Sequence, residues 1–121
     1  MDLRILPPEF SVCKVSDYSQ IDLTEPFVFT GSTDEEKSLV CPTTLVPRNA
    51  TEQEDGWRAF RIEGILDFSL IGILSKISTI LAENGIGIFV ISTFNTDYIL
   101  TKLEKLDHAI GVLKTAGYSV K

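Results

Sequence analysis

EGILDFSLIGILSKISTILAENGIGIFVISTFNTDYILTK, Glu63 to Lys102, is the stretch that decides the fold. Leu70, Leu74, Ile77 and Leu81 recur at helical spacing and share one face, so this segment opens as an amphipathic helix. Ser69 is placed to cap it, and Asp67 sets negative charge beside the positive end of the helix. Asn84-Gly85 offers the left-handed residue that ends a helix. From Ile86 to Ser92 the residues turn β-branched and aromatic, and after Phe94-Asn95 a second strand, Thr96 to Thr101, returns beside the first. A strand from Trp57 to Ile62 precedes this stretch. A helix from Leu103 to Ala116 follows it, with a stub Tyr118-Ser119-Val120 as a candidate last strand.

The element order is β-α-β-β-α, with the stub completing a ferredoxin-like split βαβ arrangement. Three strings carry a family resemblance: Gly64-Ile65-Leu66 before the helix, Leu81 to Ile86 at its end, and Ser92 to Leu100 through the hairpin with its Thr96-Asp97 pair. Over residues 57–121 the chain resembles ACT domains, in particular the ACT modules of aspartokinases and of the cytosolic arginine sensors of the TORC pathway. That resemblance implies an amino-acid effector site built from the loop before the helix and the neighbouring strand. It also implies association of modules side by side or face to face.

Outward from this stretch, the 121 residues allow one domain or two very small ones, and an apolar share of 44% excludes a disordered chain. No apolar run approaches the ~18–20 residues of a membrane helix, and Met1-Asp2-Leu3-Arg4 leads into no signal-peptide core, so a cytoplasmic protein is expected. Residues 1–56 carry four basic against eleven acidic residues; residues 57–121 carry seven against six. An acidic chain lacks the footprint of a nucleic-acid binder. The acidic half serves solubility or attracts cations. Cys13 and Cys41 fall on apolar segments and are expected as small buried hydrophobes. One histidine and two distant cysteines form no metal-ligand cluster, and no cofactor is expected.

The first half looks like a worn copy of the second. Phe10 to Ser16 matches Trp57 to Glu63 in residue type, and Phe27 to Asp34 matches Phe89 to Thr96 in outline, with Thr33-Asp34 set against Thr96-Asp97 after a one-residue slip. Ser38 to Cys41 then stands where Tyr98 to Thr101 stands later. Only Asp17 to Pro26 separates the first two strands, too short for a full helix with its loops, and Pro42 and Pro47 break any second helix. The expected fold class is therefore α+β: tandem ferredoxin-like (βαββαβ) ACT modules, residues 1–55 degenerate with a reduced helical layer, residues 56–121 complete. Polar Arg48 to Gly56 is the expected connection. The first copy buries too little surface to stand alone.

Free N–H groups at a helix N-terminus bind carboxylates, and Gly72, read as lying in the first turn, lets a ligand approach closely; the competing reading is that Gly72 only permits close helix–strand packing. With the resemblance added, the expected ligand-binding residues are Leu66, Asp67, Phe68, Ser69, Ile71 and Gly72 on one side, with Thr93, Phe94, Asn95 and Asp97 opposite. Asp97 would take the cationic end of the ligand, or else cap the turn through its own backbone. No catalytic residue is expected: His108 points away from the face of Leu103, Leu106, Ile110 and Leu113, and Glu63 and Asp67 have no histidine or metal partner. The strand Ile86–Thr93 is apolar on both faces, and in a ferredoxin-like sheet it lies at an edge, so a second chain or the first copy is expected to cover it. The function expected is a stand-alone, non-enzymatic regulator. It would bind a free amino acid, arginine being one candidate, between modules or subunits of a homodimer, and act on a further regulated protein. The alternative is a structural adaptor or dimerisation module with no ligand.

Overall fold

The computed structural model describes residues 1–63 and 72–121. The elements are β1 (Asp2–Val15), β2 (Phe29–Ser32), β3 (Lys37–Pro42), β4 (Ala50–Ile62), α1 (Ile73–Glu83), β5 (Ile88–Ser92), β6 (Asp97–Lys102), α2 (Leu106–Thr115) and β7 (Ser119–Val120). Single 3-10 turns, Thr43–Leu45 and Leu103–Lys105, follow β3 and β6. The chain divides into two compact units: a helical unit of Met1–Pro7 with Arg58–Lys121, and a strand unit of Pro8–Trp57. The division falls inside β1 and β4 rather than at residue 55. The first seven residues, expected with the N-terminal module, group with the helices.

In the helical unit the strands lie in the order β1, β4, β6, β5. The path is β4-α1-β5-β6-α2, as the sequence pattern predicts. The sixth element differs. Ser119–Val120 pairs in parallel with Asp2 and Leu3 of β1, not with β4. The place beside β4 belongs to the start of the chain, where the Glu63 amide donates to the Asp2 carbonyl at 2.9 Å. Leu3 is fully buried there, in a core with Phe60, Ile62, Ile77, Leu81, Ile99, Ala109 and Leu113. A two-residue tail is too short to bury such a side chain and complete a ladder; the start of a fourteen-residue strand does both.

Helix α1 keeps the predicted face, with Ile77 and Leu81 fully buried and Leu74 packed at its margin, but it starts later than the spacing suggests. Gly72 is the N-cap at φ 85°, in the left-handed region that costs glycine little. It therefore stands before the first turn rather than in it. Ser69, Asp67 and Leu70 lie outside the described residues. At the other end the Ile86 amide donates to the Leu81 carbonyl at 2.9 Å and Gly85 (φ 71°) to Ala82 at 3.1 Å, the Schellman pattern that Asn84-Gly85 predicts. Helix α2 begins at Leu106, because Leu103–Lys105 winds as a 3-10 turn; that rotates Leu103 out to 43% exposure. Its buried face is Leu106, Ala109 and Leu113, and His108 is exposed as expected.

In the strand unit the order is β2, β3, β1, β4. Ala50–Gly56, expected as a linker, is instead the first part of β4. Its polar side chains are mostly exposed, while its backbone and side chains engage β1: the Ser16 amide donates to the Asn49 carbonyl at 3.3 Å just ahead of it, and Thr51 Oγ1 to the Lys14 carbonyl at 3.2 Å. Backbone pairing, which an exposed polar sequence does not advertise, makes this a strand. Among the described residues the unit has no α-helix. The segment between β1 and β2 lays Tyr18, Ile21 and Val28 over Cys13, Val15, Leu39 and Cys41, and the Tyr18 hydroxyl donates to the Ser38 carbonyl at 2.8 Å. Both cysteines are buried free thiols, as their apolar setting predicts.

The β2–β3 and β5–β6 hairpins share a register. Ser32 pairs with Lys37 as Ser92 pairs with Asp97, and Phe29 with Val40 as Phe89 with Leu100. Thr33 donates its amide to Glu36 and Thr93 its amide to Thr96, both at 2.9 Å. Thr33 therefore corresponds to Thr93, and the slip that set Thr33-Asp34 against Thr96-Asp97 is corrected. The turn geometry, carried by a threonine hydroxyl, fixes the register where residue type alone misplaced it.

Candidate functional site

The site lies in the helical unit at the C-terminal end of β4. Strand β5 leaves α1 in the direction of β4, so the β5–β6 hairpin turns at the end where β4 stops and α1 begins. One side chain ties the hairpin to β4: Thr96, 6% exposed, donates its hydroxyl to the Ile62 carbonyl at 2.7 Å. Thr93 shapes the turn with its own hydroxyl, donating to the Thr96 carbonyl at 3.1 Å. Two threonine hydroxyls thus hold the turn.

Asp97 opens β6 opposite Ser92, whose hydroxyl donates to its carboxylate. Side chains alternate along a strand, so Asp97 shares a face with Ile99, which is packed in the core with Ile77 and Leu81 of α1. The carboxylate therefore stands on the α1 side of the sheet, just beyond the end of the core. On that same side α1 begins at Gly72. Among the described residues the helix has no side-chain cap, and a β-carbon at Gly72 would meet nothing within 4 Å. The positive φ of Gly72 is the requirement.

Of the ten expected site residues, the structure brings Thr93, Phe94, Asn95 and Asp97 into one hairpin and sets Gly72 at the start of α1. Thr93 and Asn95 are exposed and Phe94 is 81% exposed. Leu66, Asp67, Phe68, Ser69 and Ile71 lie outside the described residues. Sequence reading missed Ser92 and Thr96; the serine that closes β5, opposite Asp97, was the available signal. It also missed a group on the other face of the sheet. There Arg4 donates to Glu63, Arg61 Nε lies 3.3 Å from the second Glu63 oxygen, and the Arg61 guanidinium sits 5.8 Å from the Tyr98 ring centre. The Arg4 hydrogen bond, seconded by Arg61, holds the Glu63 carboxyl below the usual carboxylate range. Arg4 is fifty-nine residues away, and nothing local in the sequence announces it. Among the described residues no group of three His, Cys, Asp or Glu could hold a metal ion, and no helix is long and apolar enough to cross a membrane.

This arrangement is a helix start and a hairpin carboxylate at the end of a split βαβ unit. Residues 52–115 match the ACT domain, and the chain belongs to that family. ACT domains are in general regulatory, amino-acid-binding modules. A solved protein of Agobacterium tumefaciens is 32% identical with a TM-score of 0.86, covering 99% of this chain and 91% of that one. The ligand-free regulatory subunit of aspartate kinase from Thermus thermophilus, 8% identical, covers 95% of this chain and 96% of its own at a TM-score of 0.67. The aspartate kinase of Clostridium acetobutylicum, 12% identical, matches 91% of this chain with 33% of its length at 0.66. These last two likenesses are of fold alone. Comparison with curated proteins returned no match.

Proposed function

We propose that the chain is a stand-alone, non-catalytic regulator of the cytoplasm, built as tandem ACT modules, that binds a free amino acid in the helical unit. The observation that carries this reading is that Asp97 and the start of α1, uncapped by any described side chain, stand on one side of the sheet in an ACT domain protein. The ligand carboxylate docks on the amides at the beginning of α1, where the helix dipole favours an anion. Asp97 takes the ligand's cationic end by a charge-assisted hydrogen bond, with Thr93 and Asn95 beside it and Phe94 as a wall. Basic amino acids, arginine among them as in the sensors this chain resembles, and neutral ones both satisfy that pair of poles. The protein acts as a homodimer on a further regulated protein.

One observation favours a second reading, an adaptor that binds no ligand. The Ser92 hydroxyl already occupies the Asp97 carboxylate, as a purely structural hairpin would arrange it. A thermal-shift screen against the common amino acids separates the two. A ligand present at a hundredfold its Kd adds about 2.7 kcal/mol to stability and raises Tm visibly. A screen in which no amino acid shifts Tm favours the adaptor.

A further inference from the structure

We propose that the helical unit carries a further small-molecule site, between α1 and the chain that leaves α2, for an organic monocarboxylate with an apolar body. A cleft of about 450 Å³ lies there, lined by Ser75, Lys76, Thr79 and Ile80 of α1 and by Ala116 and Tyr118. Its volume falls within the roughly 300–1,000 Å³ of small-molecule clefts. Ser75 and Thr79 are four residues apart, as are Lys76 and Ile80, so α1 presents two neighbouring stripes off the face that buries Ile77 and Leu81. The other two lining residues are positioned by the way α2 ends. The Gly117 amide donates to the Lys114 carbonyl at 3.0 Å and the Tyr118 amide to the Leu113 carbonyl at 3.1 Å. The next residue, Ser119, donates its amide to the Met1 carbonyl at 3.2 Å. Backbone bonds thus hold the chain on both sides of the Tyr118 side chain.

The lining selects the ligand. Lys76 is exposed and makes no ion pair with a described residue, and no carboxylate is among the lining residues. On a chain of net charge −6, an anion entering this cleft meets one ammonium and no acidic side chain in its lining. The Ser75, Thr79 and Tyr118 hydroxyls have no hydrogen-bond partner among the described residues; Ser78 Oγ reaches Ser75 only at its carbonyl, at 3.0 Å. Each of those hydroxyls can donate to a carboxylate oxygen, and the ammonium adds a charge-assisted bond. One ammonium balances one negative charge, so the match is to a monoanion rather than to a polyphosphate. Ile80 and Tyr118, half-buried and packed against the core, supply surface for an apolar body of about ring size. An ammonium on the ligand would meet Lys76 and find no carboxylate. That sets this ligand apart from the amino acid proposed for the hairpin end.

The test is amide NMR of the ¹⁵N-labelled chain, titrated with 3-phenylpropanoate to about 10 mM. Three controls dissect the probe: L-phenylalanine adds an ammonium to the same skeleton, phenethylamine replaces the carboxylate by an ammonium, and acetate removes the ring. The expected result is saturable movement of the Lys76, Thr79, Ile80, Ala116 and Tyr118 amides with 3-phenylpropanoate, and binding about tenfold weaker or less with each control. Lys76→Gln, an exposed change that leaves the core intact, should weaken 3-phenylpropanoate binding about tenfold or more, and Lys76→Arg should retain it. The proposal is overturned if 3-phenylpropanoate leaves those amides unmoved, if any control binds there as tightly, or if Lys76→Gln binds as tightly as the parent. Movement or stillness of the Thr93–Asp97 amides in the same spectra reports on the hairpin end alone, so either site can fail without the other.

Discussion

Thr101 shows how a single residue can be mismatched to its setting. It is fully buried near the end of β6, opposite Ile88, and its hydroxyl has no hydrogen-bond partner among the described residues. The corresponding residue of the strand unit is Cys41, a small apolar one. A buried hydroxyl without a partner costs about 1–3 kcal/mol, while a shape-matched apolar group costs nothing comparable. Thr101→Val should therefore raise stability by about 1 kcal/mol in a urea titration; an unchanged or lower midpoint would mean that the hydroxyl is satisfied in solution. Cys41 gives a pH dependence. Burial, with the neighbouring Cys13 adding to it, pushes its thiol up to about 12. The unfolded thiol ionises near pH 8.5. A raised folded value means stability fully present below the unfolded pKa and lost as pH rises toward the folded one, so urea midpoints should begin to fall above about pH 9. Cys41→Ala should flatten that fall, and a fall of the same steepness in the variant would assign it to other groups.

Among the elements, α1 is where the chain's pattern was both informative and incomplete. The period of Leu74, Ile77 and Leu81 and the Asn84-Gly85 stop were legible because burial and a left-handed cap leave local marks. The start was not. A glycine N-cap has no side chain to advertise itself. Gly72→Ala should cost about 1–2 kcal/mol from the positive φ, since none of the described residues stands near the added methyl; a neutral result would mean that the backbone relaxes to another cap. Hairpin placement followed the same division. Strands β5 and β6 were legible from β-branched residues, while the carriers of the turn, Thr93 and Thr96, act through hydroxyl-to-carbonyl bonds that composition does not reveal. The polar half of β4 was invisible for a related reason. Its strand character comes from backbone pairing with β1, and its side chains read as a linker.

At the scale of the whole molecule, β1 and β4 each run through both compact units, and no change of composition marks the crossing. The start of the chain completes the helical unit, a long-range pairing that no local pattern carries. The other large-scale feature is the edge at β5. From Ile86 to Thr96 there is no charge and no proline, the usual protections of an exposed edge strand. Light scattering at micromolar concentration should report a dimer, consistent with an interface of about 1,200 Å² or more. A monomer would contradict that assembly, and Val90→Lys should shift a dimer to monomer if this edge is the contact.

The central claim is that a free amino acid is held between Asp97 and the start of α1. Calorimetric titration of the parent and of Asp97→Asn with the amino acid that most raises Tm tests it most directly. Asparagine still accepts the Ser92 hydroxyl but cannot neutralise a cation. The account predicts an unchanged unfolding transition and a loss of roughly 2–5 kcal/mol in binding, about thirtyfold or more in Kd. Binding by Asp97→Asn as tight as that of the parent would contradict it.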